Sequence, residues 1–167
     1  MKNYLKEIFQ NVNDWLKFAE AKHAGLIVLN SGIIFGILSI YKDYKENIHW
    51  MIVIVSIAFL GLSMITSFIS LFPKLDNKIK KKKKPLNLNL YYFRSIALLD
   101  EEDFKKELKN IDANFSPDKL DNDLINQIIV NSRISLFKYR LFRFGTVSAI
   151  IGLTLPVTYI IIKVLCH

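Results

Sequence analysis

Three stretches of this chain carry no charged side chain: Ala24 to Tyr41, Met51 to Phe72 and Phe144 to Ile162. They are 18, 22 and 19 residues long. A helix rises about 1.5 Å per residue, so about 20 residues cross the hydrocarbon of a bilayer. In lipid the backbone has no water to bond, and a helix is the single-segment structure that satisfies it internally. Buried helices of a soluble protein would show a polar stripe, whereas these runs show only scattered Ser, Thr and Asn. A hydrophobic content of 51% and a mean hydropathy of +0.25 point the same way. The expected fold class is an all-α membrane protein. It has three transmembrane helices, a helical cytoplasmic segment between the second and third, and the last transmembrane helix extended as a cytoplasmic stalk. The expected divisions are an N-terminal amphipathic cytoplasmic helix over 1–23, transmembrane helices over 24–41, 51–72 and 144–162, and a cytoplasmic basic linker and helical segment over 73–143.

The net charge is +8 and the pI about 9.5. In a soluble protein this would suggest a nucleic acid polymer as partner. Here the cations border the apolar runs, so the lipid bilayer explains them and no nucleic acid polymer is expected. Lys17 and Lys22 precede the first run, and Arg133, Lys138, Arg140 and Arg143 precede the third. Lys74, Lys78 and the unbroken Lys80 to Lys84 follow the second. Cytoplasmic flanks collect Lys and Arg, so the N-terminus and the 73–143 segment are placed inside. The short loop from Lys42 to Trp50 and the C-terminus are placed outside, with Tyr41 and Trp50 at the outer interface. The first crossing is expected to act as its own insertion signal, because the N-terminal residues are charged throughout. The single cysteine, Cys166, excludes a disulfide within the chain.

Outside the runs the signals are helical. Leu5, Ile8, Phe9, Val12, Trp15, Leu16 and Ala19 recur at spacings of three and four. That face suits either the membrane surface or the protein's own cytoplasmic part. Lys80 to Lys84 followed by Pro85 reads as a linker and topology anchor. Asp100 is an N-cap before acidic residues and then lysines, with Phe104, Leu108 and Ile111 as the apolar face. Ser116 and Pro117 suit the N-cap and first position of another helix. Leu120, Leu124, Ile128, Ile134 and Phe137 carry it to the third run with no glycine or proline before Gly145. About 27 residues of that helix lie outside the bilayer, about 40 Å. Pro156 is expected to bend it within the membrane.

Catalytic signatures are absent from the sequence: no nucleotide P-loop, HExxH or GxSxG, and no cysteine pair for a metal. The expectation is therefore no enzyme, no catalytic residue, no metal site and no cofactor. Small residues at four-residue spacing let membrane helices approach closely. Gly32 and Gly36 in the first run, and Gly145 with Ala149 in the third, have that spacing, as do Ser148 and Gly152. They suit either a homo-oligomer or packing within one chain. Asn30 and Ser31 need polar partners in lipid, either along a polar path or on another helix.

The order of these elements resembles the transmembrane effector family of Pycsar antiphage systems in bacteria. The likeness rests on four places. They are Ala19-Glu20-Ala21-Lys22-His23-Ala24 with Asn30 beyond it, and Ser70-Leu71-Phe72-Pro73-Lys74. The others are Tyr92-Phe93-Arg94-Ser95-Ile96-Ala97, and Asn131-Ser132-Arg133-Ile134 leading to Lys138-Tyr139-Arg140-Leu141. His23 and Arg94 depart from the family's pattern. The resemblance implies an inner-membrane effector of abortive infection. A partner cyclase makes a cyclic pyrimidine nucleotide, cCMP or cUMP, and the effector responds by disrupting the inner membrane. If this chain binds that activating ligand, phosphate needs cations and the base a stacking surface. Arg94, Arg133, Lys138 and Arg140 are candidates for the phosphate, and Tyr91, Tyr92 and Phe93 for the base. The alternative is a non-enzymatic membrane scaffold, a SLATT-like subunit that recruits a partner.

Overall fold

The computed structural model of the chain describes residues 3–45, 48–72 and 88–165. The lysine run Lys80 to Lys84, Pro85 and Cys166 lie outside the described residues. Five helices follow one another, with no strand among the described residues: α1 (Asn3–Tyr44), α2 (Trp50–Leu71), α3 (Phe93–Ile96), α4 (Glu101–Ile111) and α5 (Lys119–Leu165). Three of them, α1, α2 and α5, are long and apolar enough to cross a membrane. The N-terminal amphipathic segment and the first apolar run form one unbroken helix of 42 residues.

The chain divides into two compact units, and α1 and α5 each contribute to both. The first unit holds α1 as far as Ala19, then α3, α4 and α5 as far as Tyr139. Leu5, Ile8 and Val12 of α1 are buried in its core with Phe93, Ile96, Phe104, Leu108, Ile125 and Ile128. The amphipathic face of α1 thus packs on the protein's own helices, which leaves it unavailable to a membrane surface. Long-range bonds help hold the unit together: among them, Asn131 Nδ2 donates to Asn13 Oδ1 at 2.8 Å, and Arg133 Nη2 donates to the Leu99 carbonyl at 2.9 Å.

Capping sets the short helices. The Asp103 N–H donates to Asp100 Oδ1 at 2.8 Å, which fixes the start of α4 where the sequence places it. Ile111 is 75% exposed, so the buried face of α4 ends with Leu108. α5 starts later than Ser116 and Pro117 suggest. The Asp121 N–H donates to Asp118 Oδ1 at 2.7 Å, and the Asp118 N–H donates to Asp121 Oδ2 at 3.4 Å. This reciprocal pair is a capping box built from two carboxylates, placed where the helix dipole favours anions. Leu120, next to it, is 67% exposed, and Ile125 and Ile129 join Leu124 and Ile128 on the buried face.

The second unit contains α1 from Glu20, α2, and α5 from Arg140. Leu26, Leu60 and Ala149 are its buried apolar centre. Pro156 lies inside α5, and the helix continues through it. Thr158 Oγ1 donates to the Thr154 carbonyl at 2.9 Å, so hydroxyls supplement the backbone ladder around the proline. Apolar side chains point outward: Val28 is 73% exposed, Phe35 76% and Phe72 71%. That is the reverse of a soluble surface and suits contact with lipid.

Phe104 is fully buried, and Phe104→Ala should lower stability by about 3–5 kcal/mol. Asp100→Ala should cost about 1 kcal/mol through the lost cap. Ile111→Ala should stay within about 0.5 kcal/mol of the parent. Thermal unfolding of the three variants in detergent checks the ranking.

Candidate functional site

A tight turn presents the first candidate residues. The Tyr91 N–H donates to Asn89 Oδ1 at 2.8 Å, and the Tyr92 N–H donates to the Asn89 carbonyl at 3.1 Å. Asparagine closes such a turn by bonding its own backbone two residues on. The turn delivers Phe93 into the first unit, where it is 4% exposed. Its ring lies nearly parallel to that of Tyr139, with centroids 5.0 Å apart, and 5.5 Å from that of Trp15. Trp15 meets Tyr139 edge-on at 6.1 Å, and Tyr92 meets Phe93 edge-on at 5.0 Å. Four aromatic rings from α1, α3 and α5 form one cluster. Burial, and after it the neighbouring Tyr92, push the Tyr139 phenol above its ordinary value.

This arrangement sorts the candidate ligand residues. Phe93 already has aromatic neighbours, and Tyr91 is tied to α1: its hydroxyl donates to Glu7 Oε2 at 3.3 Å and its carbonyl accepts from Asn11. Tyr92 is 39% exposed and keeps an open edge. Among the cations, Arg94 is exposed on α3, whereas Lys138 is only 4% exposed. Arg133 is half-buried and spends one donor on Leu99. Arg140 is exposed and belongs to the second unit. The four cations are therefore split: two turn inward and two face outward. Trp15 and Tyr139 complete the cluster. Each stood in a recognisable sequence pattern, but only the pairing of α1 with α5 gives them a common role.

The second unit carries a different feature. The buried residues of α2 are Val53, Ser56, Leu60, Ser63, Thr66, Ser67 and Ser70. Hydroxyls that look scattered along the run share one face, and that face is turned inward. Asn30 of α1 is fully buried against it and donates from Nδ2 to Ser63 Oγ at 2.7 Å. Thr66 Oγ1 donates to the Ser63 carbonyl at 2.9 Å. α5 closes on the same face through glycines. A Cβ at Gly145 would stand 2.9 Å from Thr66 Oγ1, and one at Gly152 would stand 2.9 Å from the Ser56 carbonyl oxygen. Ser148 and Ala149 are buried between them. The small residues of the third run thus serve packing within the chain. A Cβ at Gly32 or Gly36 would meet nothing within 4 Å, so close packing within this chain does not require glycine at either position.

A family model for the Pycsar effector protein domain matches residues 4–165. The chain belongs to this family. No curated protein and no solved structure matches it. Membership implies an antiphage effector of a Pycsar system, with a cyclic nucleotide signal from a partner cyclase. The Pycsar effector domain takes in both units, the aromatic cluster and the hydroxyl face alike. All four places behind the resemblance now have physical roles in this Pycsar effector. Asn30 bonds Ser63, Ser70 joins the hydroxyl face, Tyr92 and Phe93 build the aromatic cluster, and Asn131 and Arg133 tie α5 to other segments of the first unit.

The raised Tyr139 phenol gives a pH prediction. Unfolded tyrosine ionises near pH 10. Its folded-state contribution is complete below that pH and is lost as pH climbs through the higher folded value. Relative to Tyr139→Phe, the parent should therefore lose stability only above about pH 10. A pair of melting curves across that range reads the difference.

Proposed function

We propose that this chain is a multi-pass protein of the bacterial inner membrane that responds to cCMP or cUMP and breaches that membrane, halting an infected cell. The observation that carries this reading is the family match across residues 4–165, which spans all three apolar helices and the first unit together. The charge pattern supports an orientation with the N-terminus and the 73–143 segment in the cytoplasm and the C-terminus outside. That orientation puts the aromatic cluster and its cations on the side where a cytoplasmic nucleotide is made. α5 supplies residues to both units without a break, which supports its use as the element that carries a binding event towards the bilayer.

For ligand contact, Tyr92 and Arg94 are the accessible pair: two residues apart in sequence, both exposed, one able to stack on a base and one to bond phosphate. Arg133 and Lys138 would contribute from inside. Phe93 and Tyr91 would shape the surface through the contacts they already make.

Expression with the cognate cyclase should depolarise cells, read with a voltage-sensitive dye. An unchanged potential would overturn the effector reading and favour the scaffold alternative, in which a partner co-purifies and permeability stays constant. Calorimetric titration of cCMP and of cUMP into the detergent-purified protein should show saturable binding of one of them. Arg94→Ala should weaken it by about tenfold or more, since a charge-assisted hydrogen bond contributes about 1.5–3 kcal/mol. Its melting temperature should stay at the parent value, because Arg94 is exposed.

A further inference from the structure

α2 is polar on the wrong side for a helix that only anchors. Its outward residues, such as Ile54, Ile65 and Phe68, are apolar and between 48% and 57% exposed. Its inward residues Ser56, Ser63, Ser67 and Ser70 are at most 1% exposed. Close packing of membrane helices needs small residues, and glycine or alanine would serve it without a hydroxyl. Packing explains even less about Asn30, which is not small and is fully buried. The face is also undersupplied with partners. Asn30 Oδ1, Ser56 Oγ and Ser67 Oγ are buried with no hydrogen-bond partner among the described residues. Buried polar groups in hydrocarbon are normally paired, and unpaired ones call for a partner beyond these side chains. Water is the ligand that would satisfy them.

What covers the face is α5, through Gly145 and Gly152. The approach at Gly152 is to the backbone oxygen of Ser56 at a distance no Cβ tolerates. Withdrawal of α5 would uncover a continuous row of hydroxyl and amide groups. No Asp, Glu, Lys or Arg occurs anywhere in these apolar runs, so the row is uncharged.

We propose that the inward hydroxyl face of α2, with Asn30, is the wetted wall of a path for water and small ions, opened when α5 moves off it. The proposal rests on the membrane-breach reading above and specifies its form: a lined path in place of general bilayer disruption. A neutral hydroxyl and amide wall replaces part of an ion's hydration shell without selecting strongly by charge.

The test uses the full chain in liposomes of phosphatidylethanolamine and phosphatidylglycerol, with potassium efflux recorded on adding cCMP or cUMP. Single cysteines are placed at Ser56, Ser63 and Ser67 in a Cys166→Ser background, with Ile65→Cys and Phe68→Cys as lipid-facing controls. A charged, membrane-impermeant methanethiosulfonate reports wetting. An unactivated path is open at most a few per cent of the time, so the nucleotide should speed labelling of the three seam cysteines by about tenfold or more. The control cysteines should stay unlabelled, and labelling at the seam should reduce efflux. Gly152→Leu, whose side chain must displace α5, should leak without nucleotide. Efflux from the parent with the seam cysteines unreactive would overturn the lined path and leave the membrane-breach reading standing. Release of a fluorescent dextran as fast as potassium would do the same. No efflux from the parent with either nucleotide, and none from Gly152→Leu, would overturn both.

Discussion

Inside hydrocarbon a polar side chain has only the protein to bond, and the second unit is arranged around that constraint. Asn30 is the largest polar group in the three apolar runs, and it finds Ser63 at 2.7 Å. Pairing its N–H requires α1 and α2 to meet at that level, with the hydroxyl side of α2 turned inward. Once that side is inward, the branched and aromatic residues of α2 must face out, which is acceptable only to lipid. α5 then fits against a surface already ridged by small hydroxyls. Glycine stands at two positions where a Cβ would run into α2. Each of these features follows from the previous one.

The first unit obeys different rules. Its core is ordinary hydrophobic burial: Leu5, Ile8 and Val12 against Phe93, Ile96, Phe104 and the isoleucines of α5. The aromatic cluster of Trp15, Tyr92, Phe93 and Tyr139 joins three helices far apart in the chain. Phe93 at its centre is buried and Tyr92 at its edge is exposed, so its rim, not its centre, is the part suited to a planar ligand. Lys138 is almost wholly buried and Arg133 half-buried beside exposed Arg94. The inner cations thus have a structural role as well as any role in recognition.

The two kinds of unit suit the cyclic nucleotide signal that the family implies and the action on a bilayer that we propose. A hydroxyl face hidden within apolar helices is inert while covered.

Much of this was legible from local pattern. The absence of charge over three runs of sufficient length, the Asp100 cap and the family motifs all act within a few residues of themselves, so no tertiary information is needed to read them. The sequence by itself therefore determined an all-helical chain with three apolar helices and membership of the Pycsar effector family. The tertiary structure alone decided which faces those helices bury. The serines of α2 recur seven, four and three positions apart from Ser56 to Ser70, which puts them on one helical face; only the packing of α1 and α5 decides that this face is the buried one. Asp118 outcompetes Ser116 as the cap of α5 because Asp121 returns its bond. Ile111 fits the apolar pattern of α4 yet finds nothing to pack on. The N-terminal helix could have lain on lipid, until a bond between Asn13 and Asn131, 118 residues apart, joined it to α5. Periodicity shows that a helix has an apolar side. What that side meets depends on contacts between distant segments, which no local pattern contains.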